Sequence, residues 1–276
     1  EAAGKANMAA VALTDHGNMM GAFHFVNKAL GFNKEIEAKN AEAAERGDSP
    51  NGRIIKPIVG GELYVCEDHK DKTRKDNGYQ IVFLAKNKNG YHNLAKMASV
   101  AYTDGFYYVP RIDRSVVERY KEDLFVLSGN LHGEVPSKVL NIGEAQAEDA
   151  LIWWKEQFAD DFYIELMRHG QEDEDRVNET LIQLAHKHGV KLIATNNTYY
   201  LRKEDAHAHD ILLCVKDGEK LSTPKGRGRG FRFGLPNQEY YFKSAAEMKK
   251  AFADIPEAII NIQEVLDKIE IYSLNR

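Results

Sequence analysis

An Asp-His pair, Asp15-His16, follows the apolar run Val11-Ala12-Leu13, and a lone glutamate, Glu62, stands in an otherwise apolar segment directly after Gly60-Gly61. Imidazole and carboxylate donors from two segments are hard-to-borderline ligands suited to Zn²⁺ or Mn²⁺. Such an ion activates water for phosphoester hydrolysis. Other polar residues follow other apolar runs: Ser128-Gly129-Asn130-Leu131-His132, then Glu165 and His169, then Asn196-Asn197. Simpler readings stand beside this one. Asp15 is suited to cap a helix that begins near Gly17, and a histidine in a strand-to-helix turn serves as readily in a structural hydrogen bond. Glu62 is the hardest to explain structurally, because a buried carboxylate needs a partner. Three candidate ligands do not make a multinuclear centre. The residue types alone reach an α/β barrel with the remnant of a metal site.

The elements that would position these residues are short β-rich runs alternating with longer amphipathic segments. Strands are predicted over 8–14, 57–65, 80–85, 124–128, 162–167 and 191–195, each with a near-continuous apolar stretch that suits burial on both faces. Helices are predicted over 17–46, 90–102, 144–158 and 173–188, the last stopped by Gly189. This alternation implies a parallel sheet or barrel with right-handed crossovers, in which functional side chains gather past the carboxyl ends of strands. Beyond Thr195 the pattern changes. A helix over 204–215 leads into a Gly-rich loop, and helices over 244–252 and 256–269 follow, with Ser244 and Glu247 spaced as a capping box. The loop reads as a solvated connector or as a nucleic-acid or inter-domain contact, since Arg227, Arg229 and Arg232 interleave with Phe231 and Phe233.

Composition narrows the function classes. The 276 residues carry a net charge of −5, with no global basic footprint of the kind a compact DNA-binding module shows. Two cysteines, Cys66 and Cys214, are too few for a disulfide framework, sit in apolar runs and suit a reduced, cytoplasmic compartment. No apolar run approaches the roughly 20 residues needed to cross a bilayer, and no membrane partner is expected. The chain does not begin with Met, and it reads as a piece of something longer. Trp153-Trp154 are read as packing residues and Tyr107-Tyr108 as positioning the Pro110-Arg111 turn. His207 with His209, and His186 with His188, are two apart on predicted helices and so share no face.

Seven blocks carry a resemblance: residues 11–25 (VALTDHGNMMGAFHF), 56–65 (KPIVGGELYV), 81–96, 105–113 (GFYYVPRID), 162–170, 192–201 and 208–215. In this order they strongly resemble the amino-terminal PHP domain of bacterial DNA polymerase III alpha subunits, and residues 241–261 resemble the segment joining that domain to the polymerase body. The resemblance implies a PHP-type seven-stranded β/α barrel, TIM-like but distorted, over 1–215, here lacking its first strand. A Gly/Arg-rich loop over 216–243 and a helical connector over 244–276 would follow. It implies a parent DNA-directed DNA polymerase using Mg²⁺, with its catalytic carboxylates beyond Arg276 and no catalytic residue in this chain. The implied partners are the polymerase body, the proofreading exonuclease subunit, and DNA through the parent protein.

In metal-binding members of that family the strand ends hold a cluster of ions. His16 and Glu62 match ligands, and Asp15 matches the motif. Elsewhere this chain departs: Gln80 stands where a His is found, Asn130 in place of the Cys of SGC, and Asn197 and Tyr199 in place of the Asp and His of TND-x-H. Each departure replaces an ionisable ligand with a neutral or poorly coordinating group. The family's opening His-x-His segment would precede Glu1. The resemblance therefore implies a degenerate site: no cofactor and no metal in this chain, or else an ion on His16 and Glu62, Zn²⁺ or Mn²⁺ if the site works. The resulting expectation is a non-catalytic scaffold and protein-binding domain, and the alternative is a metal-dependent 3′–5′ exonuclease or phosphoesterase. Without the first strand, the sheet should stay open or borrow contacts from a neighbouring copy.

Overall fold

The structure is a computed structural model that describes residues 1–226 and 228–275. Its strands are β1 (Ala10–His16), β2 (Lys56–Cys66), β3 (Tyr79–Ala85), β4 (Arg111–Asp113), β5 (Leu124–Leu127), β6 (Phe162–Leu166) and β7 (Lys191–Ala194). Its helices are α1 (Ala2–Lys5), α2 (Ala22–Arg46), α3 (Lys88–Thr103), α4 (Arg114–Tyr120), α5 (Glu134–Asn141), α6 (Glu144–Phe158), α7 (Glu172–His188), α8 (Ala206–Asp217), α9 (Ala245–Ala251) and α10 (Glu257–Asp267). All seven strands form one curled sheet in the order β1-β2-β3-β5-β6-β7, with β4 on β2 beyond the end of β1. Helices flank it, as expected for a distorted TIM-like barrel. Among the described residues β1 and β7 do not pair, so the sheet is a half-barrel.

The sheet is not wholly parallel, contrary to expectation: β3 runs antiparallel to both β2 and β5. An apolar run reads the same in either direction. Direction depends on the connection, and residues 67–78 between β2 and β3 carry no helix to make a crossover. The strand β4 and the helices α4 and α5 have no counterpart in the sequence reading. β4 is three residues long and α4 seven, too short for periodicity to register. Asp113 nonetheless marks where α4 begins, accepting the Val116 amide at 3.2 Å. Helix ends follow local chemistry. Gly189 (φ 63°) stops α7 in the left-handed region, and Ser244 and Glu247 form the reciprocal capping box before α9. The second helix starts at Ala22 rather than Gly17, because Gly17 turns at φ 66° first.

Strand alternation sorts the interior into two layers. Leu63, Val65, Ile81, Phe83, Val126, Phe162, Ile164, Leu166 and Leu192 face outward into a core with α3, α6 and α7, centred on Trp154. Their neighbours in register, Ile58, Val82, Leu84, Phe125, Leu127, Tyr163 and Ile193, face the hollow of the half-barrel. That hollow is filled from one end by the last helix. Val265 and Ile269 are buried against this inner layer, and Ala10, Ile262 and Leu266 pack beside them. Polar contacts fix α10 there. Asn261 donates to the Leu192 carbonyl at 2.8 Å on the edge strand β7, Lys56 reaches the Leu266 carbonyl at 2.5 Å, and Glu264 pairs with Lys191 at 2.6 Å. Each fully buried aliphatic side chain of this kind contributes about 1.5–3 kcal/mol. The chain thus covers the open barrel with its own helix.

Candidate strand-end site

Opposite α10, the same inner face turns polar at the ends of the strands. Register pairs His16 with Glu62, and Gln80 with Tyr64 two residues further along β2, so alternation points His16, Glu62, Tyr64 and Gln80 into the hollow together. β1, β2 and β3 approach closely because Gly60 has no side chain; a Cβ there would meet the Phe83 carbonyl oxygen at 2.5 Å. Alternation sends Asp15 to the other face. Its carboxylate accepts the Gly21 amide at 3.3 Å, where α2 begins, in keeping with the structural reading of that residue.

His16 Nδ1 lies 2.8 Å from Glu62 Oε1, with the imidazole about half exposed and the carboxylate buried. The contact is an ion pair by distance, but its angle leaves Glu62 Oε1 without a directional hydrogen bond. Glu62 raises the His16 pKa above its ordinary 6.5, against the effect of burial. Asn130 approaches Gln80 Oε1 at a long 3.5 Å, and Asn197 approaches the Tyr199 hydroxyl at the same distance. Tyr199 is raised by burial first and by the Glu62 charge second, which places it within electrostatic range of the pair.

Glu165 completes the arrangement. It lies on the inner face of β6, accepts the Thr195 hydroxyl at 2.6 Å through Oε1, and among the described residues has no directional hydrogen-bond partner at Oε2. Burial pushes its carboxyl up to about 7; the Thr195 bond opposes this and the Glu62 charge adds to it. The sequence places Glu165 at a strand end, but only the fold shows it facing Glu62's side of the sheet. His169, also a strand-end residue, is committed elsewhere. Its Nδ1 meets Glu174 at 2.7 Å, its Nε2 accepts the Asn197 amide at 3.2 Å, and its ring stacks on Tyr240 at 4.4 Å. With both ring nitrogens occupied it is no ligand.

These donors do not fit a metal cluster. Among the described residues, no third His, Cys, Asp or Glu donor converges on His16 and Glu62. Gln80, Asn130, Asn197 and Tyr199 supply neutral groups at these strand ends instead. The Gly/Arg loop also differs from its nucleic-acid reading at one residue. Arg232 is buried, donating to both Asp210 oxygens at 2.8 Å and to the Thr223 carbonyl at 2.9 Å, and it holds Asp210 down at about 2. Such a bidentate pair fixes the loop and leaves no guanidinium edge for a ligand. Arg229 is exposed, and Arg227 lies outside the described residues. Cys66 and Cys214 are buried free thiols, and burial pushes Cys66 up to about 11. Among the described residues, no helix is long and apolar enough to cross a membrane.

The family model described as "PHP domain" matches residues 1–169. A DNA polymerase III subunit alpha of Borreliella burgdorferi is 37% identical over 98% of this chain and 22% of that protein. Those of Campylobacter jejuni and Thermus aquaticus are 36% and 37% identical over 94% and 90% of this chain, and over 20% and 18% of their own lengths. The chain therefore spans about a fifth of the length of the curated relatives it matches.

Proposed function

Because the chain belongs to the PHP domain family, we propose that it is the PHP domain of a replicative DNA-directed DNA polymerase, the DNA polymerase III alpha subunit, and acts there as a non-catalytic scaffold. The parent protein would extend DNA with deoxynucleoside triphosphates and Mg²⁺ through carboxylates outside this chain. This domain would pack on the polymerase body and offer a surface to the proofreading exonuclease subunit. One observation carries the scaffold role: among the described residues no third His, Cys, Asp or Glu donor converges on the His16–Glu62 pair, and Gln80, Asn130, Asn197 and Tyr199 supply only neutral groups at these strand ends. A divalent ion needs such donors to offset its desolvation.

The alternative, a metal-dependent 3′–5′ exonuclease or phosphoesterase, draws support from Glu165, whose free oxygen faces the same hollow. The two readings separate in the longer protein. Metal content and release of nucleotides from a DNA 3′ end are measured for the parent and for His16→Ala. The scaffold reading expects His16→Ala to change neither. Stoichiometric Zn²⁺ or Mn²⁺ lost together with nuclease activity in that variant overturns it.

A further inference from the structure

A second group of donors lies away from the strand-end site. Asp68 and His69 belong to the loop 67–78 that leaves β2, and Asp113 ends β4. β4 pairs in parallel with β2 through Cys66↔Asp113, so the residues following Cys66 emerge beside the Asp113 carboxylate. Cys66 is four residues beyond Glu62, about 13 Å along the strand, which separates this cluster from the His16–Glu62 pair. His69 and Asp113 are both buried, at 4% and 8% exposure, and Asp68 opens to solvent. His69 Nδ1 lies 2.5 Å from Asp113 Oδ2, and one donor atom from each of the three residues lies within 4.8 Å of the others.

The charge here is unbalanced. Asp113 Oδ1 accepts the Ser115 hydroxyl at 2.6 Å and the Val116 amide at 3.2 Å, while Oδ2 accepts the His69 amide at 3.3 Å and faces the His69 imidazole. Asp68 accepts the Lys70 amide through Oδ1. Among the described residues, neither aspartate has a Lys or Arg ion-pair partner, whereas Arg74 pairs with Glu67 and Asp71 in the same loop. The nearby Arg111 is fully buried and donates instead to the carbonyls of His69, Asp71, Asp76 and Gly105 at 2.9–3.2 Å. Its bonds hold the loop in place without neutralising the carboxylates, and a donor set held this way is preorganised.

We infer that Asp68, His69 and Asp113 form a divalent-cation site that latches the 67–78 loop to β4. One imidazole and two carboxylates select a first-row ion such as Zn²⁺ over Mg²⁺ or Ca²⁺, which prefer all-oxygen shells. The imidazole binds through Nδ1 and carries its proton on Nε2. Ligand bonds of about 2.0–2.1 Å in a tetrahedron set donors roughly 3.3 Å apart, so His69 and Asp113 part by under about 1 Å. Water from the exposed Asp68 side takes the fourth position.

The test uses the 276-residue chain carrying His16→Ala and Glu62→Gln, so that the strand-end pair cannot contribute, with Zn²⁺ alone as the probe. Titration calorimetry and metal content by mass spectrometry should give one zinc per chain, and amide exchange across residues 67–78 should slow on binding. Adding Asp68→Asn or His69→Gln should weaken binding by about tenfold or more, while millimolar Mg²⁺ should not compete. Asp68→Asn alters an exposed side chain and leaves the Asp113 cap of α4 intact, so its result does not depend on a folding defect. No zinc binding by the folded chain, or binding unchanged in both added variants, overturns the inference. Either outcome leaves the scaffold proposal standing, since that proposal rests on different residues.

Discussion

Replacing Glu165 with Gln should make the chain's stability less dependent on pH, and the size of the effect follows from burial. The Glu165 carboxyl is raised from an ordinary 4.5 to about 7, chiefly by burial. Between these values the folded state holds a proton that the unfolded state has released. Stability therefore falls as pH rises through that window, and the full penalty is present above the folded value. At about 1.4 kcal/mol per pKa unit the whole penalty is about 3 kcal/mol, of which about 2.5 kcal/mol develops between pH 5 and pH 8. The amide in Glu165→Gln keeps an oxygen for the Thr195 hydroxyl and carries no charge. Urea unfolding of both proteins at pH 5 and pH 8, with chelator present, measures the difference. Glu165→Gln should match the parent within about 1 kcal/mol at pH 5 and exceed it by about 2 kcal/mol or more at pH 8. Equal pH dependence of the two proteins would refute the claim that Glu165 is buried without a neutralising partner.

Three further outcomes follow from the packing. Ile269→Ala, which hollows the contact between the α10 segment and the inner face, should cost about 2–4 kcal/mol in urea unfolding; a loss below about 0.5 kcal/mol would mean that this segment does not fill the half-barrel. Glu134→Ala removes the acceptor shared by Trp154 Nε1 at 2.9 Å, Arg114 at 2.9 Å and Lys138 at 2.8 Å. It should cost about 2 kcal/mol and shift the tryptophan emission, and unchanged emission would count against the Trp154 bond. Arg232→Ala should lower the melting temperature while Arg229→Ala leaves it unchanged in calorimetry, and equal effects would contradict the buried Arg232–Asp210 pair.

Much of this fold is legible in the chain because its signals are local. The six predicted strands all form within a few residues of their expected ends, since each is a short apolar run bounded by turn formers. The Gly189 stop and the Ser244–Glu247 cap depend only on neighbouring backbone, and they appear where their residue types put them. The family resemblance is likewise a property of ordered blocks in the sequence. What the sequence alone could not settle is anything that depends on facing. A period of two says that His16 and Asp15 point apart, but not which of them meets Glu62. That follows from the parallel register of β1 on β2. The antiparallel course of β3 depends on a connection without a helix, and the inward turn of Arg232 on an aspartate 22 residues away. The Asp68–His69–Asp113 cluster joins residues more than 40 positions apart, and nothing in their spacing predicts it. Local chemistry determined the elements and the candidate donors. Tertiary structure decided which donors share a hollow and that α10 fills the other end of it, because burial and charge act between side chains that only the folded sheet brings together.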